Sequence, residues 1–218
     1  MKGENQLPDD IFEYWMSLAR ELAHKFDIEQ FDTSSEMWSW KNFKDDIVSL
    51  QNRLGFGDSI EILGLKLDLE SGETLDTFTN KPTSSSRIIP HLYYYSKAKD
   101  EGFGNEWVKF NTLRGSWACR YSFNEDSLSL LALKFHEDRT KLTDGLERLG
   151  AVKSDYGDFS YAIDFLPMVR VLIIFEPADE EFPASVRLLY DNNSISYLPH
   201  ELLGGVGWFL ASRATRAV

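Results

Sequence analysis

Apolar residues recur at helical spacing near the start of the chain: Ile11, Phe12, Trp15, Leu18, Ala19, Leu22, Ala23 and Phe26, with Glu13, Arg20, Glu21 and Lys25 on the other face. The spacing predicts an amphipathic helix, and Asp10 followed by Glu13 has the form of a capping box with Asp in place of Ser or Thr. FKDDIVSLQNRLGFG, close behind Trp38 and Trp40, reads as a second helix ending at Gly55. In DSIEILGLKLDLESGETLD the pattern alternates on both sides of Gly64, which predicts a hairpin or bent strand, with the next turn at Ser71 and Gly72. The polar run TNKPTSSS is expected to be a loop and an internal hinge.

Ser86 is placed to cap a helix carrying Ile88, Ile89, Leu92, Tyr93 and Tyr95, with Pro90 tolerated in its first turn and Gly102 and Gly104 ending it. A short strand around Trp107 and Lys109 follows. Asn124, Glu125 and Asp126 open a helix with Leu128, Leu131, Ala132 and Phe135; its companion bears Leu142, Leu146 and Leu149 and stops at Gly150. The period then changes to two. Phe159 to Phe165, Val169 to Phe175 and Ala184 to Tyr190 alternate as three strands, Leu172 and Ile174 filling the second face of the middle one. Pro199 opens a last helix that turns Leu202, Leu203, Val206, Phe209 and Leu210 inward. Helices and strands in blocks, with short strand connections, predict an α+β fold: an antiparallel β-sheet covered by helices, with an N-terminal helical extension. The expected division is residues 1–56 for the extension and 57–218 for the α+β domain.

With 218 residues, 43% hydrophobic and 14% aromatic, the chain has ample material for a buried core. Its 35 acidic and 23 basic residues give a net charge of −12, which repels phosphate backbones and anionic lipid, so neither nucleic acid nor membrane is an expected partner. The single cysteine, Cys119, excludes an internal disulfide and cysteine-based zinc or iron–sulfur ligation. It lies between Arg114 and Arg120, which would lower a thiol pKa, but a lone cysteine on a strand face is more often packing. MKGENQLPDDIFEYW lacks the apolar stretch of a signal peptide, and the longest apolar run, around Val171 to Phe175, is far below the ~20 residues of a membrane helix. A cytoplasmic protein is expected.

The sharpest local signal is an acidic, proline-bracketed corner between two late strands: Glu176, Pro177, Asp179, Glu180, Glu181, Phe182 and Pro183. Its carboxylates have the chemistry to ligate a hard cation with Glu176 and Asp191, or to clamp a cationic partner. Against this, charges at a strand corner ordinarily stay solvated and deter edge pairing, with Phe182 and Pro183 packing inward. Acid/base hydrolysis would need one carboxylate in an apolar pocket; Glu180 or Glu181 with His200 and Glu201 is the best set, although a first-turn acid such as Glu201 is explained by the helix dipole. His24, His91, His136 and His200 have no metal-binding spacing, so no metal site is expected and no cofactor is assigned. Tyr93, Tyr94 and Tyr95 cannot share one helix face, so at least one must be open to solvent or a groove, where it could stack on a planar ligand.

EILGLKLDLESGE, WVKFNTLRGS and ERLGAVKSDYGDFSYAIDFLPMVRVLIIFEPADEEFPASVRLLYDNNSISYLPHELL, in that order, resemble the domain-of-unknown-function family 3786 over roughly residues 57–212. The DEEFP corner and its spacing to Tyr197 and Leu198 are the specific parts. The resemblance implies an anaerobic setting with corrinoid- or redox-linked relatives, some of them rich in cysteines that this chain lacks. The function expected is a non-catalytic binding or accessory module, its partner a protein or small ligand. The expected contact surface is Asp179, Glu180, Glu181, Phe182 and Pro183 with Tyr197, His200 and Glu201. A small-molecule hydrolase using paired carboxylates at the corner is the alternative.

Overall fold

A computed structural model describes residues 38–51, 56–115 and 126–216 of the chain. The expected helix around Ile11 to Phe26, Cys119 and the Asn124 cap lie outside the described residues. The described α-helices are α1 (Trp40–Val48), α2 (Ile89–Lys97), α3 (Asp126–Glu137), α4 (Arg139–Arg148) and α5 (His200–Ala214).

The antiparallel β-structure divides into two sheets. The first is a meander, β1 (Ser59–Ile62), β2 (Leu65–Asp68), β3 (Thr74–Asp76) and β4 (Lys81–Thr83), in chain order. The second, from β5 (Trp107–Lys109), β6 (Val152–Lys153), β7 (Ser160–Leu166), β8 (Val169–Glu176) and β9 (Ser185–Asp191), runs in the order β5-β9-β8-β7-β6.

Local chemistry explains the meander. Alternation puts Ile60, Ile62, Leu65 and Leu67 inward, and Ile62 pairs with Leu65 across the two-residue turn Leu63–Gly64. Both turn residues have positive φ, +47° and +78°, the twist that suits a tight hairpin. A Cβ on Gly64 would stand 2.8 Å from the Phe78 ring, so this position needs glycine for space as well as for φ. TNKPTSSS is not the expected hinge. Lys81–Thr83 forms β4 against β3, and Pro82 is accommodated because β4 is an edge strand. Ser84, rather than Ser86, supplies the cap that follows, accepting from the Ser86 amide, and α2 ends at Lys97, before Gly102 and Gly104. The helix expected to run to Gly55 stops at Val48, and Gln51 bridges Phe56.

One continuous core joins the meander, the helices and the inner face of the five-stranded sheet, with Leu92, Leu131, Phe135, Ile163, Phe165, Ile173, Leu188, Leu203 and Phe209 among its members. Leu172, Ile174 and Leu189 form a smaller cluster on the outer face beside Trp107 and Ala162. Trp38 stacks on Phe43, and Phe43 lies against Tyr93, which docks α1 on α2. Among the described residues, no helix is long and apolar enough to cross a membrane.

Three charged or polar side chains tie distant segments together. Arg213, 2% exposed near the end of α5, donates from Nη1 to Asp76 Oδ2 (2.6 Å) and from Nη2 to Asp76 Oδ1 (3.1 Å). It also donates to the Leu63 and Gly64 carbonyls at 2.8 and 3.2 Å and lies over the Phe78 ring. Asp191, buried at the end of β9, accepts from the amides of Gly104, Asn105 and Asn193, each at 2.9 Å. Tyr197 does similar work from the next turn.

Candidate functional site

β8 and β9 pair to their ends, Glu176 opposite Ser185, so the segment between them projects from the sheet as a closed corner. Glu176 accepts from the Ser185 hydroxyl (2.8 Å) and the Arg187 guanidinium (2.6 Å); these, the hydroxyl foremost, hold its carboxyl below the usual range. Asp179 Oδ1 accepts from the amides of Glu181 and Phe182 at 2.9 and 2.7 Å, and its own amide donates to the Phe182 carbonyl. Those two amides hold the Asp179 carboxyl low. The turn is thus built from its own backbone. Glu180 and Glu181 are exposed and make no side-chain hydrogen bond or ion pair among the described residues. Phe182 does not pack inward as expected: it is 65% exposed, while Pro183 is half-buried. Phe182 is held by its backbone bonds to Asp179 on the turn that projects beyond the paired strand ends.

The sheet register brings a second loop to this end. Phe159 accepts from the Phe175 amide and Ser160 pairs with Ile174, so the β6–β7 loop lies at the same end of the sheet as the corner. Asp155, Tyr156 and Asp158 in that loop are exposed, Tyr156 by 50%. Among the described residues this end of the sheet therefore carries six exposed carboxylates, Glu176 included, and two exposed aromatic rings, and the loop's share of these is not in the contact set expected from the sequence. The signal was available: DYGD is a turn between two alternating runs, and an antiparallel hairpin order places it beside the corner.

The rest of the expected contact set lies elsewhere. Tyr197 is 2% exposed; its hydroxyl accepts from the Glu101 and Gly102 amides (2.9 and 2.7 Å) and donates to Asp100 Oδ1 (2.9 Å), while its ring stacks on Tyr95. It is an internal latch for the segment between α2 and β5, not a contact residue. Tyr197→Phe is expected to cost about 1–3 kcal/mol by leaving those two amides without an acceptor, with faster amide exchange confined to residues 99–104. His200 sits edge-on to Phe110 (6.2 Å), with Gly115 close to its ring and Nε2 buried without a partner among the described residues. Phe110 follows β5, which meets β9 at Leu189 to Asp191, away from the corner, so His200 and the corner carboxylates are not assembled into one site. Glu201 is exposed in the first turn of α5, where a carboxylate suits the helix dipole. The carboxylates weighed as cation ligands are also separated. Glu176 is engaged by Arg187, and Asp191 sits at the opposite end of β9 from the corner. Of the three adjacent tyrosines, Tyr95 is buried and Tyr93 packs on Phe43, leaving Tyr94, 42% exposed, as the open one.

No curated protein and no solved structure matches the chain. A family model described as "Domain of unknown function (DUF3786)" matches residues 57–213, a span that runs from just before β1 through the buried Arg213 and holds both sheets and the acidic corner. Because that match covers well over half of the sequence, the chain belongs to the domain-of-unknown-function family 3786.

Proposed function

We propose that this protein is a non-catalytic binding or accessory module that docks a cationic protein partner on the acidic, aromatic end of its five-stranded sheet. The observation that carries this reading is the exposure of Glu180, Glu181 and Phe182 on a turn held rigid by its own Asp179 bonds. A preorganised display loses little conformational freedom on association, and an exposed aromatic ring on the same turn as exposed carboxylates is complementary to Arg- or Lys-bearing surfaces. The hydrolase alternative has less support, because Glu180 and Glu181 stand in solvent instead of an apolar pocket, apart from His200. A cytoplasmic setting and the corrinoid- or redox-linked context rest on composition and on the family resemblance alone.

The triple variant Glu180→Lys/Glu181→Lys/Phe182→Ala tests it. All three side chains are exposed, so folding stability should stay within about 0.5 kcal/mol of the parent in urea titrations. Affinity capture from a lysate of the source cells should retain a protein on the parent chain that the variant loses. Identical captured sets, with both chains folded, would sink the docking reading.

A further inference from the structure

β8 pairs with β9 from Ser185 to Tyr190, but on the other side, among the described residues, β5 meets it only at Leu189, Tyr190 and Asp191. Residues Ser185 to Leu188 therefore present an edge with no partner strand among the described residues. Strand geometry sets which backbone groups face that edge. The Asn192 amide donates to the Glu106 carbonyl beside β5, and Val186 shares the parity of Asn192, so the N–H and C=O of Val186 point outward. Beside this edge lies a groove of about 660 Å³, walled by Phe110 and by Leu128, Ser129 and Ala132. Its ends differ in charge. Pro183 forms one end, beyond which lie the carboxylates of the acidic corner, and Lys109 the other; the described lining between them holds no carboxylate, and its one cation, Arg187, is paired with Glu176.

We infer that the open half of β9 and the acidic corner at its head form one docking track for an extended segment of a partner protein, which adds to the sheet as a further strand with its basic residues over Asp179, Glu180 and Glu181. The inference rests on the docking reading of the corner and deepens it. The occupant is specified by three features: main-chain groups free to pair with Val186, apolar side chains at alternate positions facing the groove wall, and positive charge at the corner end. An acidic segment fails the third, and a helical one fails the first two.

A fluorescein-labelled decapeptide of two arginines followed by alternating valine and threonine provides the probe, read by anisotropy against the full chain at low salt. Saturable binding is expected. N-methylation of one alternate set of its amides should weaken binding at least tenfold while methylation of the other set leaves it nearly unchanged, because only every second amide faces β9. Ser129→Trp, which fills the groove from a half-buried wall position, should weaken binding to a similar degree. Absence of saturable binding, equal effects of the two methylated sets, or a Ser129→Trp chain that binds normally would each overturn strand addition. So would slow hydrogen exchange of the Val186 amide in the free chain, which would mean that the protein covers its own edge. If Glu180→Lys/Glu181→Lys still abolishes binding when the methylation pattern fails, docking at the corner stands and only the strand-addition geometry falls. If neither matters, both readings fall.

Discussion

Replacing Arg213 with methionine is expected to destabilise the fold by about 3–5 kcal/mol, the usual cost of leaving one member of a buried ion pair alone. Arg213 and Asp76 are 2% and 7% exposed, and the guanidinium also serves the Leu63 and Gly64 carbonyls of the β1–β2 turn. Removing it leaves the buried carboxylate without a counter-charge, its Oδ2 and the Leu63 carbonyl without the donors that Arg213 supplies, and it takes a cation from the face of Phe78. The second change Asp76→Leu should restore only part of the loss, because Asp76 also accepts from the Phe78 and Thr79 amides. Urea unfolding of the single and double variants reads both numbers. A single-variant loss under about 1 kcal/mol would mean that the pair is solvated. Burial pushes the Asp76 carboxyl up, but the Arg213 bonds and charge, with the two amides, more than offset it and hold the group below its ordinary value. Its stabilising contribution is therefore complete above pH ~4 and fades only as acid approaches the lowered folded value.

A larger pH dependence is expected at milder acidity from His91. Its ring lies edge-on between Phe165 and Phe209, 5.1 and 5.8 Å away, and Nδ1 has no partner among the described residues. Burial pushes the imidazole down to about 4, against the Arg87 carbonyl that favours the charged form. The folded state then binds fewer protons than the unfolded one between pH ~6.5 and ~4. Stability is full above that window and falls through it, by about 3 kcal/mol in total. His91→Leu should flatten the urea midpoint between pH 7 and pH 4 while the parent declines. Parallel declines in the two chains would place the titrating group elsewhere.

These two residues also show where sequence reading stops. Periodicity places β7, β8, β9, α4 and α5 well, because each buries a regular set of apolar positions, in β8 on both faces. It failed at TNKPTSSS, where β4 is polar and exposed and exists only because β3 offers an edge. The corner was legible as prolines and carboxylates between two alternating runs, whereas its companion loop required the strand order. Tyr197 stands in the expected contact set through its spacing from the corner, yet its ring and hydroxyl are consumed by Tyr95 and a loop 95 residues away in sequence. Arg213 left a trace that could have been used. It continues the apolar stripe Val206, Phe209, Leu210 at helical spacing, and a cation in such a stripe demands a buried acid. Which acid, only the fold could say.

The reach of that pair bears on how the chain is made. Asp76 leaves the ribosome 137 positions ahead of Arg213, so at ordinary elongation speeds the young meander waits roughly seven to twenty-seven seconds for its counter-charge. During that interval the Leu63 carbonyl and the Asp76 carboxylate lack the guanidinium that α5 brings to them. Early folding of the hairpins is therefore provisional, and the polypeptide commits to its final topology only when the last helix swings back to the first sheet. A nascent chain stalled before that helix should be a favoured client of ribosome-associated chaperones.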